Sequence, residues 1–360
     1  MGCVCFFNTA IAWGGGEKWH LETSSFLHSR GHKVLVVAHS KSVLLQKLKG
    51  TDIPCIPFEI SNLSFLNPLK HLALRRKLRE QSIDTIVMNL SRDVKIAGIC
   101  AKAIGVRRII YRRGSAIPIK NTFLNRYYFK HIVTEVLANS LATKKTVLEN
   151  NPNLFPREKI KVIYNGIDLT GMSMEKLESV KKETRFTLIN LGRLEKQKNQ
   201  QFLIYLAQEL KQRGLPIKIS IGGDGRLKGM LEDKIAELKV KNNVELVGFI
   251  KRPLEFISKG DVFVLPSLWE GFGYVLAEAA LCKKPIVAFD VSSNPELVIQ
   301  GKTGYLVPIN HLIDFADAIE KLYHNTDLAN EMGEQGAQHV TQNFDKNKNL
   351  KKIESYLING

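Results

Sequence analysis

Short apolar runs rich in β-branched residues recur along this chain, each closed by a turn-forming residue and followed by a stretch of helix formers. Continuous rather than alternating hydrophobicity marks a strand covered on both faces, as in a parallel sheet. Such runs occupy positions 1–7, 33–38, 85–89, 108–111, 136–138 and 161–163, and again 186–191, 217–221, 244–247, 262–265 and 286–289. Between them lie helical stretches, among them one with Trp19, Thr23, Phe26 and Leu27 that stops at Gly31, and one from Tyr274 to Cys282. The strand, turn, helix rhythm predicts an α/β chain of doubly wound parallel sheets with helices on both faces.

The rhythm breaks once. After Asn165-Gly166-Ile167-Asp168 the chain turns polar and weakly periodic, and a chain of 360 residues accommodates two domains better than one. The expected organisation is a first domain over 1–168, a linker over 169–184, a second domain over 185–342 and a closing helix over 343–360. No repeat relates the halves.

Composition is that of a globular protein, 44% apolar and 24% charged. No apolar run reaches the ~18 to 20 residues that span a bilayer. The opening Met1-Gly2-Cys3-Val4-Cys5 lacks a basic flank and a myristoylation hydroxyl, and reads as a buried strand. Five cysteines, without metal-ligand spacing, point to reduced thiols in a cytoplasmic protein with no zinc.

Charge divides the chain more sharply than composition does. Residues 1–165 hold 26 Lys and Arg against 10 Asp and Glu, whereas residues 166–360 hold 26 against 25. A field this one-sided draws anionic partners to the first half alone. Within it, Lys70 to Arg79 reads as a basic amphipathic helix and Phe123 to Lys130 mixes aromatics with bases. Both suit a membrane surface, and both also suit nucleic acid. Alternatively Leu69, Leu72 and Leu78 face a core and the bases are merely solvated.

Three loops carry candidate chemistry. In Glu270-Gly271-Phe272-Gly273-Tyr274-Val275-Leu276-Ala277-Glu278-Ala279, glycines lie on a turn between a strand and a helix, where backbone N–H groups meet the positive helix end. Glu270 stands outside the helix and Glu278 roughly two turns inside, too far apart to share a proton but placed to grip two parts of one ligand. The plain alternative makes Glu270 a helix-dipole charge and Glu278 a surface residue. Trp13-Gly14-Gly15-Gly16-Glu17 opens another helix with an unhindered N–H cluster. Finally, Gly192-Arg193-Leu194-Glu195-Lys196-Gln197-Lys198 follows a strand, and Arg193 with Lys198 suits a diphosphate, although either also serves as an ordinary surface charge.

These segments, together with Asn165-Gly166-Ile167-Asp168, Gly223-Asp224-Gly225 and Val247-Gly248-Phe249, resemble the retaining, sugar-nucleotide-dependent glycosyltransferases of GT-B fold, family four, in order and spacing over nearly the whole chain. The resemblance implies two Rossmann-like domains facing across a cleft, the first binding acceptor and the second a nucleotide sugar of UDP or GDP type. It implies that Arg193 and Lys198 hold the diphosphate, Glu278 the ribose hydroxyls, and the Val247 to Phe249 region, with Gly223 nearby, the base. Glu270, Gly271, Phe272, Gly273, Tyr274 and Val275 would surround the transferred sugar and its phosphate, with Gly14, Gly15 and Gly16 closing from the first domain. The segment from Phe344-Asp345-Lys346 onward resembles the family's last helix, which crosses back to the first domain. No Asp-x-Asp metal motif occurs, so no metal and no cofactor are expected.

Departures from the pattern are also visible. Where the family often has a histidine, this chain has Tyr111-Arg112-Arg113-Gly114, making Arg112 and Arg113 candidates for an acceptor or donor phosphate or for the basic surface alone. Lys283 and Ser292-Ser293 replace residues that are commonly glycines. The expectation is a metal-independent hexosyltransferase that is cytoplasmic or peripheral on the inner face of the membrane. Its acceptor would be an anionic glycan or lipid-linked glycan of cell-envelope polysaccharide or lipopolysaccharide synthesis. A GT-B epimerase or phosphorylase is the alternative, and a nucleic-acid binder a remote one.

Overall fold

A computed structural model describes residues 2–169 and 184–360. Residues 170–183, which hold nearly all of the expected linker, lie outside the described residues. The chain divides into two compact units, Met1–Gly166 with Asn347–Gly360, and Ile167–Lys346.

The first unit is built on seven strands: β1 Cys3–Asn8, β2 Val34–Ala38, β3 Cys55–Pro57, β4 Ile83–Met88, β5 Arg108–Arg113, β6 Glu135–Ala138 and β7 Ile160–Val162. They form one parallel sheet in the order β3-β2-β1-β4-β5-β6-β7. Alternate residues of a strand point to opposite faces, and β1 divides accordingly. Cys5 and Phe7 join Leu35, Ile86 and Met88 in one core, while Val4 and Phe6 join Trp19, Leu27, Val34 and Val36 in another. Both faces are therefore apolar, which is why β1 shows no polar alternation in sequence.

The second core also takes Ile353 and Leu357 from the helix Lys346–Asn359. That helix is held at its edges too. Arg108 donates to the carbonyls of Tyr356 at 2.7 Å and Leu357 at 3.3 Å while forking onto Glu135, and Arg30 and His32 both meet Glu354.

The second unit carries β8 Thr187–Leu191, β9 Lys218–Gly222, β10 Val244–Gly248, β11 Val262–Leu265, β12 Ile286–Phe289 and β13 Gly304–Val307, parallel in the order β10-β9-β8-β11-β12-β13. Its core centres on Phe202, Phe289 and Phe315, whose rings meet edge to face 4.8 to 5.8 Å apart. The strands β3 and β13 were not expected from sequence. Both are edge strands, β3 three residues long and ending in proline, β13 half-buried at its centre.

Candidate functional site

Each sheet has a switch point where successive strands depart in opposite directions, between β1 and β4 in the first unit and between β8 and β11 in the second. Loops leaving the carboxyl ends of such a strand pair diverge, and the crevice between them is where ligands of doubly wound sheets bind.

At the second switch point the two loops are stitched together. The loop after β8 ends in a helical turn, Lys196–Lys198, and that after β11 runs into the helix Tyr274–Leu281. Leu268 N–H donates to the Gln197 carbonyl and Gln197 Nε2 donates to the Trp269 carbonyl, both at 2.8 Å. Lys198 Nζ then meets Glu270 Oε1 at 2.5 Å, with Glu270 only 6% exposed. The Lys198 stem lies over Gly192, where a Cβ would come 3.3 Å from its Cγ, Cδ and Cε. Ser293 Oγ, after β12, reaches the Glu270 carbonyl at 3.5 Å.

The same rim continues through the glycine turns after β9 and β10. Gly192 N–H donates to the Gly222 carbonyl at 3.0 Å and Gly223 N–H to the Gly248 carbonyl at 2.7 Å. Gly223 has φ of 137°, and a Cβ there would sit 1.9 Å from the Gly192 carbonyl oxygen, so only glycine fits. Hydrogen bonds thus join the loops after β8, β9, β10, β11 and β12 into one rim that includes the Lys198–Glu270 pair.

Among the other sequence candidates in this unit, Arg193 and Phe249 are exposed, Phe249 by 76%. Gly271, Tyr274 and Glu278 are half-buried. Gly273, at φ of 84°, caps the helix from outside, and its carbonyl accepts from Leu276 and Ala277. Phe272 is 3% exposed, its ring edge-on to Tyr274 and Phe344, and Val275 is buried as well, so both side chains belong to the packing.

At the first switch point a buried carboxylate plays the joining role. Asp93, following β4, accepts from Thr9 Oγ1 at 2.5 Å and from the backbone N–H groups of Thr9 and Leu90, while Arg92 donates to the Thr9 hydroxyl and carbonyl. Burial pushes the Asp93 carboxyl up to about 7 against the pull of these donors. Gly14, Gly15 and Gly16 open the helix Gly15–Ser29 beside it. Glu17 folds back to accept from Asn8 Nδ2 at 3.0 Å, and a Cβ at Gly16 would strike Asn89 Nδ2 at 2.4 Å.

The two adjacent arginines have different environments. Arg112 is 1% exposed: it donates to Asn89 Oδ1 and Asn165 Oδ1, both at 3.0 Å, and its guanidinium lies 4.5 Å from the Trp19 ring centroid. This burial corrects Arg112 as a surface cation, and its two amide partners hold it inside the switch region. It also helps burial hold the neighbouring His20 imidazole down to about 3. Arg113 is half-buried and lines a hollow of about 300 Å³ with Lys95 and Lys120.

Sequence reading missed Asp93, Lys95 and Lys120. None lies in a glycine-marked turn, and only the folded sheet brings them to its carboxyl edge. The basic helix, Pro68–Glu80, buries Leu74 and Leu78 but exposes Leu69 by 75% and Leu72 by 68%, so Leu69 and Leu72 do not face a core. No described helix is long and apolar enough to cross a membrane.

Comparison with known proteins agrees with this architecture. Residues 13–170 match the family model described as Glycosyltransferase Family 4, and residues 173–339 the model described as Glycosyl transferases group 1. An N-acetylgalactosamine-N,N'-diacetylbacillosaminyl-diphospho-undecaprenol 4-alpha-N-acetylgalactosaminyltransferase of Campylobacter jejuni is 28% identical over 84% of this chain and 84% of its own length. A UDP-Gal:alpha-D-GlcNAc-diphosphoundecaprenol alpha-1,3-galactosyltransferase of Escherichia coli is 26% identical over 84% and 82%. A shorter match, to an uncharacterized glycosyltransferase of Methanocaldococcus jannaschii at 29% identity, spans 48% of this chain and 44% of that protein. Among solved structures, Anabaena Alr3699/HepE in complex with UDP superposes with a TM-score of 0.85 at 22% identity, covering all of both chains. With its doubly wound parallel sheets and two family models that leave only residues 1–12, 171–172 and 340–360 unmatched, the chain belongs to the GT-B glycosyltransferases.

Proposed function

We propose that this glycosyltransferase retains anomeric configuration, takes a sugar from a UDP or GDP sugar without a metal, and delivers it to a lipid-linked or polysaccharide acceptor in bacterial cell-envelope or lipopolysaccharide synthesis. The observation that carries the donor half is the buried Lys198–Glu270 pair at the second switch point, inside a rim of glycine turns. A fixed ammonium among unhindered amides stabilises a departing diphosphate as the anomeric bond breaks, without reorganisation of solvent. In this reading Arg193 joins Lys198 on the diphosphate, Glu278 takes the ribose hydroxyls, and the Gly223 turn with Val247 to Phe249 borders the base. Glu270, tied to Lys198, orients the sugar rather than attacking it.

The acceptor half belongs to the first unit. Both relatives aligned over 84% of this chain have a diphospho-undecaprenol in their names, and an acceptor of that kind has a negative charge and a membrane tail. The first unit, with its crossing helix counted, holds 29 Lys and Arg against 11 Asp and Glu, and presents Leu63, Leu66, Leu69 and Leu72 to solvent beside basic residues. Those features suit work at the inner membrane face.

A thermal-shift screen of UDP, GDP, ADP and their sugars tests the donor site, since a ligand stabilises the fold it binds. One uridine or guanosine ligand is expected to raise the melting temperature, and Arg193→Ala and Glu278→Ala to weaken that shift. No shift with any nucleotide, or none lost in either variant, would sink the donor assignment. Recovery of an altered nucleotide sugar with no free nucleotide would point to an epimerase instead.

A further inference from the structure

The hollow beside Arg113 is built for more than surface charge. It opens at the carboxyl edge of the first sheet, one loop from the switch point, and is lined by Ser91, Val94 and Lys95 after β4, by Tyr111 and Arg113 of β5, and by a stretch from Pro118 to Phe129. Three cations line it and no carboxylate does. The rest of the wall divides by chemistry, with Val94, Ile119, Leu124 and Phe129 apolar, and Tyr111, Tyr128, Ser91 and Thr122 bearing hydroxyls. A volume of about 300 Å³ lies at the small end of ligand pockets.

Arg113 is anchored before any ligand arrives. Its Nη1 donates to the Tyr111 hydroxyl at 3.2 Å and its Nη2 to the carbonyls of Ser115 and Ile117, while its guanidinium lies 5.6 Å from the Tyr111 ring centroid. Nε is buried with no acceptor among the described residues. A preorganised guanidinium loses less freedom per bond made to an oxyanion. Lys95 rises from a π-helical stretch, Val94–Gly98, a geometry often found at functional sites. Its ammonium lies 5.5 Å from the Phe65 ring centroid, and Phe65 sits between the exposed Leu63 and Leu66. The cationic hollow thus borders the exposed apolar stretch.

A neighbouring, wider hollow of about 820 Å³ has Arg126, Lys130, Arg157 and Lys159, but these cations are exposed and Glu158 stands among them. There Arg126 is held by the exposed Asn121, through its carbonyl and Oδ1.

We infer that Lys95, Arg113 and Lys120 form a subsite for a phosphate or diphosphate ester with an apolar organic part, the head of a lipid-linked acceptor. The inference rests on the proposed acceptor class and adds the residues that read it. Three cations without a carboxylate favour an anion of more than one charge. The apolar wall and the adjoining leucines favour a prenyl chain over a sugar phosphate or a free phosphate.

The test is calorimetric titration of the full chain with farnesyl diphosphate, inorganic diphosphate and glucose 1-phosphate, in wild type, Lys95→Ala/Lys120→Ala, Lys95→Arg/Lys120→Arg and Lys198→Ala, alongside UDP and GDP. The expected result is farnesyl diphosphate binding at least tenfold tighter than the other two anions. It falls at least tenfold in the double alanine variant, survives in the double arginine variant, and is unchanged in Lys198→Ala. Nucleotide binding follows the opposite pattern, lost in Lys198→Ala and kept in the double alanine variant. Farnesyl diphosphate affinity that ignores Lys95 and Lys120, or falls with Lys198, overturns the subsite while leaving the donor reading standing. Equal affinity for all three anions overturns the lipid-linked source. Nucleotide binding absent from every protein removes the donor reading without touching the subsite. Should the double alanine variant not fold, Lys120→Ala alone, at an exposed position, is expected to weaken farnesyl diphosphate binding severalfold, and unchanged affinity there overturns the subsite equally.

Discussion

At the scale of single residues, ion pairing and burial make opposite demands on ligand binding and stability. Removing one member of a buried pair leaves the other charge uncompensated, at a cost of about 3 kcal/mol or more. Glu270→Ala is therefore expected to lower the melting temperature by isolating the Lys198 ammonium, and a nucleoside diphosphate, by supplying new negative charge, to recover more of that loss than it adds to wild type. Lys198→Ala is expected to destabilise similarly but gain nothing from the nucleotide. Thermal melts with and without UDP and GDP decide between these patterns.

Two buried groups in the first unit respond to pH in opposite senses. Asp93, at about 7 in the fold against an ordinary 3.8, stabilises most below pH 3.8 and loses that contribution as pH rises to 7. His20, at about 3 against 6.5, stabilises fully above pH 6.5 and loses its contribution as pH falls to 3. Between about pH 4 and 6.5 the two slopes oppose one another. Asp93→Asn is expected to leave stability rising with pH across that window, and His20→Gln to leave it falling, as urea midpoints measured at several pH values would show. Equal slopes in both variants would refute this account.

At the scale of elements, the turns matter more than the strands they join. Gly223 is expected to reject alanine outright, because its backbone is in the glycine region and the new Cβ would lie inside the Gly192 carbonyl. Gly273→Ala meets the Leu276 and Leu297 methyl groups only at 3.3 Å, so the left-handed φ dominates its cost, about 1 to 2 kcal/mol. Comparing the two melting temperatures, with nucleotide affinity alongside, checks the ranking. The strand β1 and the helix after Gly273 were legible in sequence because burial on two faces and a glycine break leave local marks. The strands β3 and β13 were not, the one being three residues that end in proline and the other opening on glycine. Glycine turns advertised the rim of the proposed donor site, but nothing local linked Lys198 to Glu270, 72 residues apart, or separated buried Arg112 from half-exposed Arg113. The link arises only when β11 pairs with β8, and the difference between the arginines only when β5 takes its place beside β4 and β6.

At the scale of the whole molecule, charge is segregated by unit. The first unit carries 29 basic against 11 acidic residues and the second 23 against 24, so the crossing helix sharpens the division that sequence halves already showed. Retention on anionic liposomes is expected at low salt and release near 0.5 M, where the screening length falls to a few ångströms. Because Leu69 and Leu72 are exposed, Leu69→Ser/Leu72→Ser is expected to alter stability by only about 0.5 kcal/mol while reducing liposome retention several-fold. Retention untouched by this variant would remove the apolar stretch from any role at membranes.

The helix Lys346–Asn359 carries a consequence for how the protein comes into being. Residues 167–346 form an uninterrupted run that can close its core as soon as it leaves the ribosome. The first unit, though made earlier, lacks Ile353 and Leu357 until the chain has passed through the whole of the second. The half synthesised first is thus finished last, and throughout that wait the apolar cluster of Trp19 and Leu27 stands two members short.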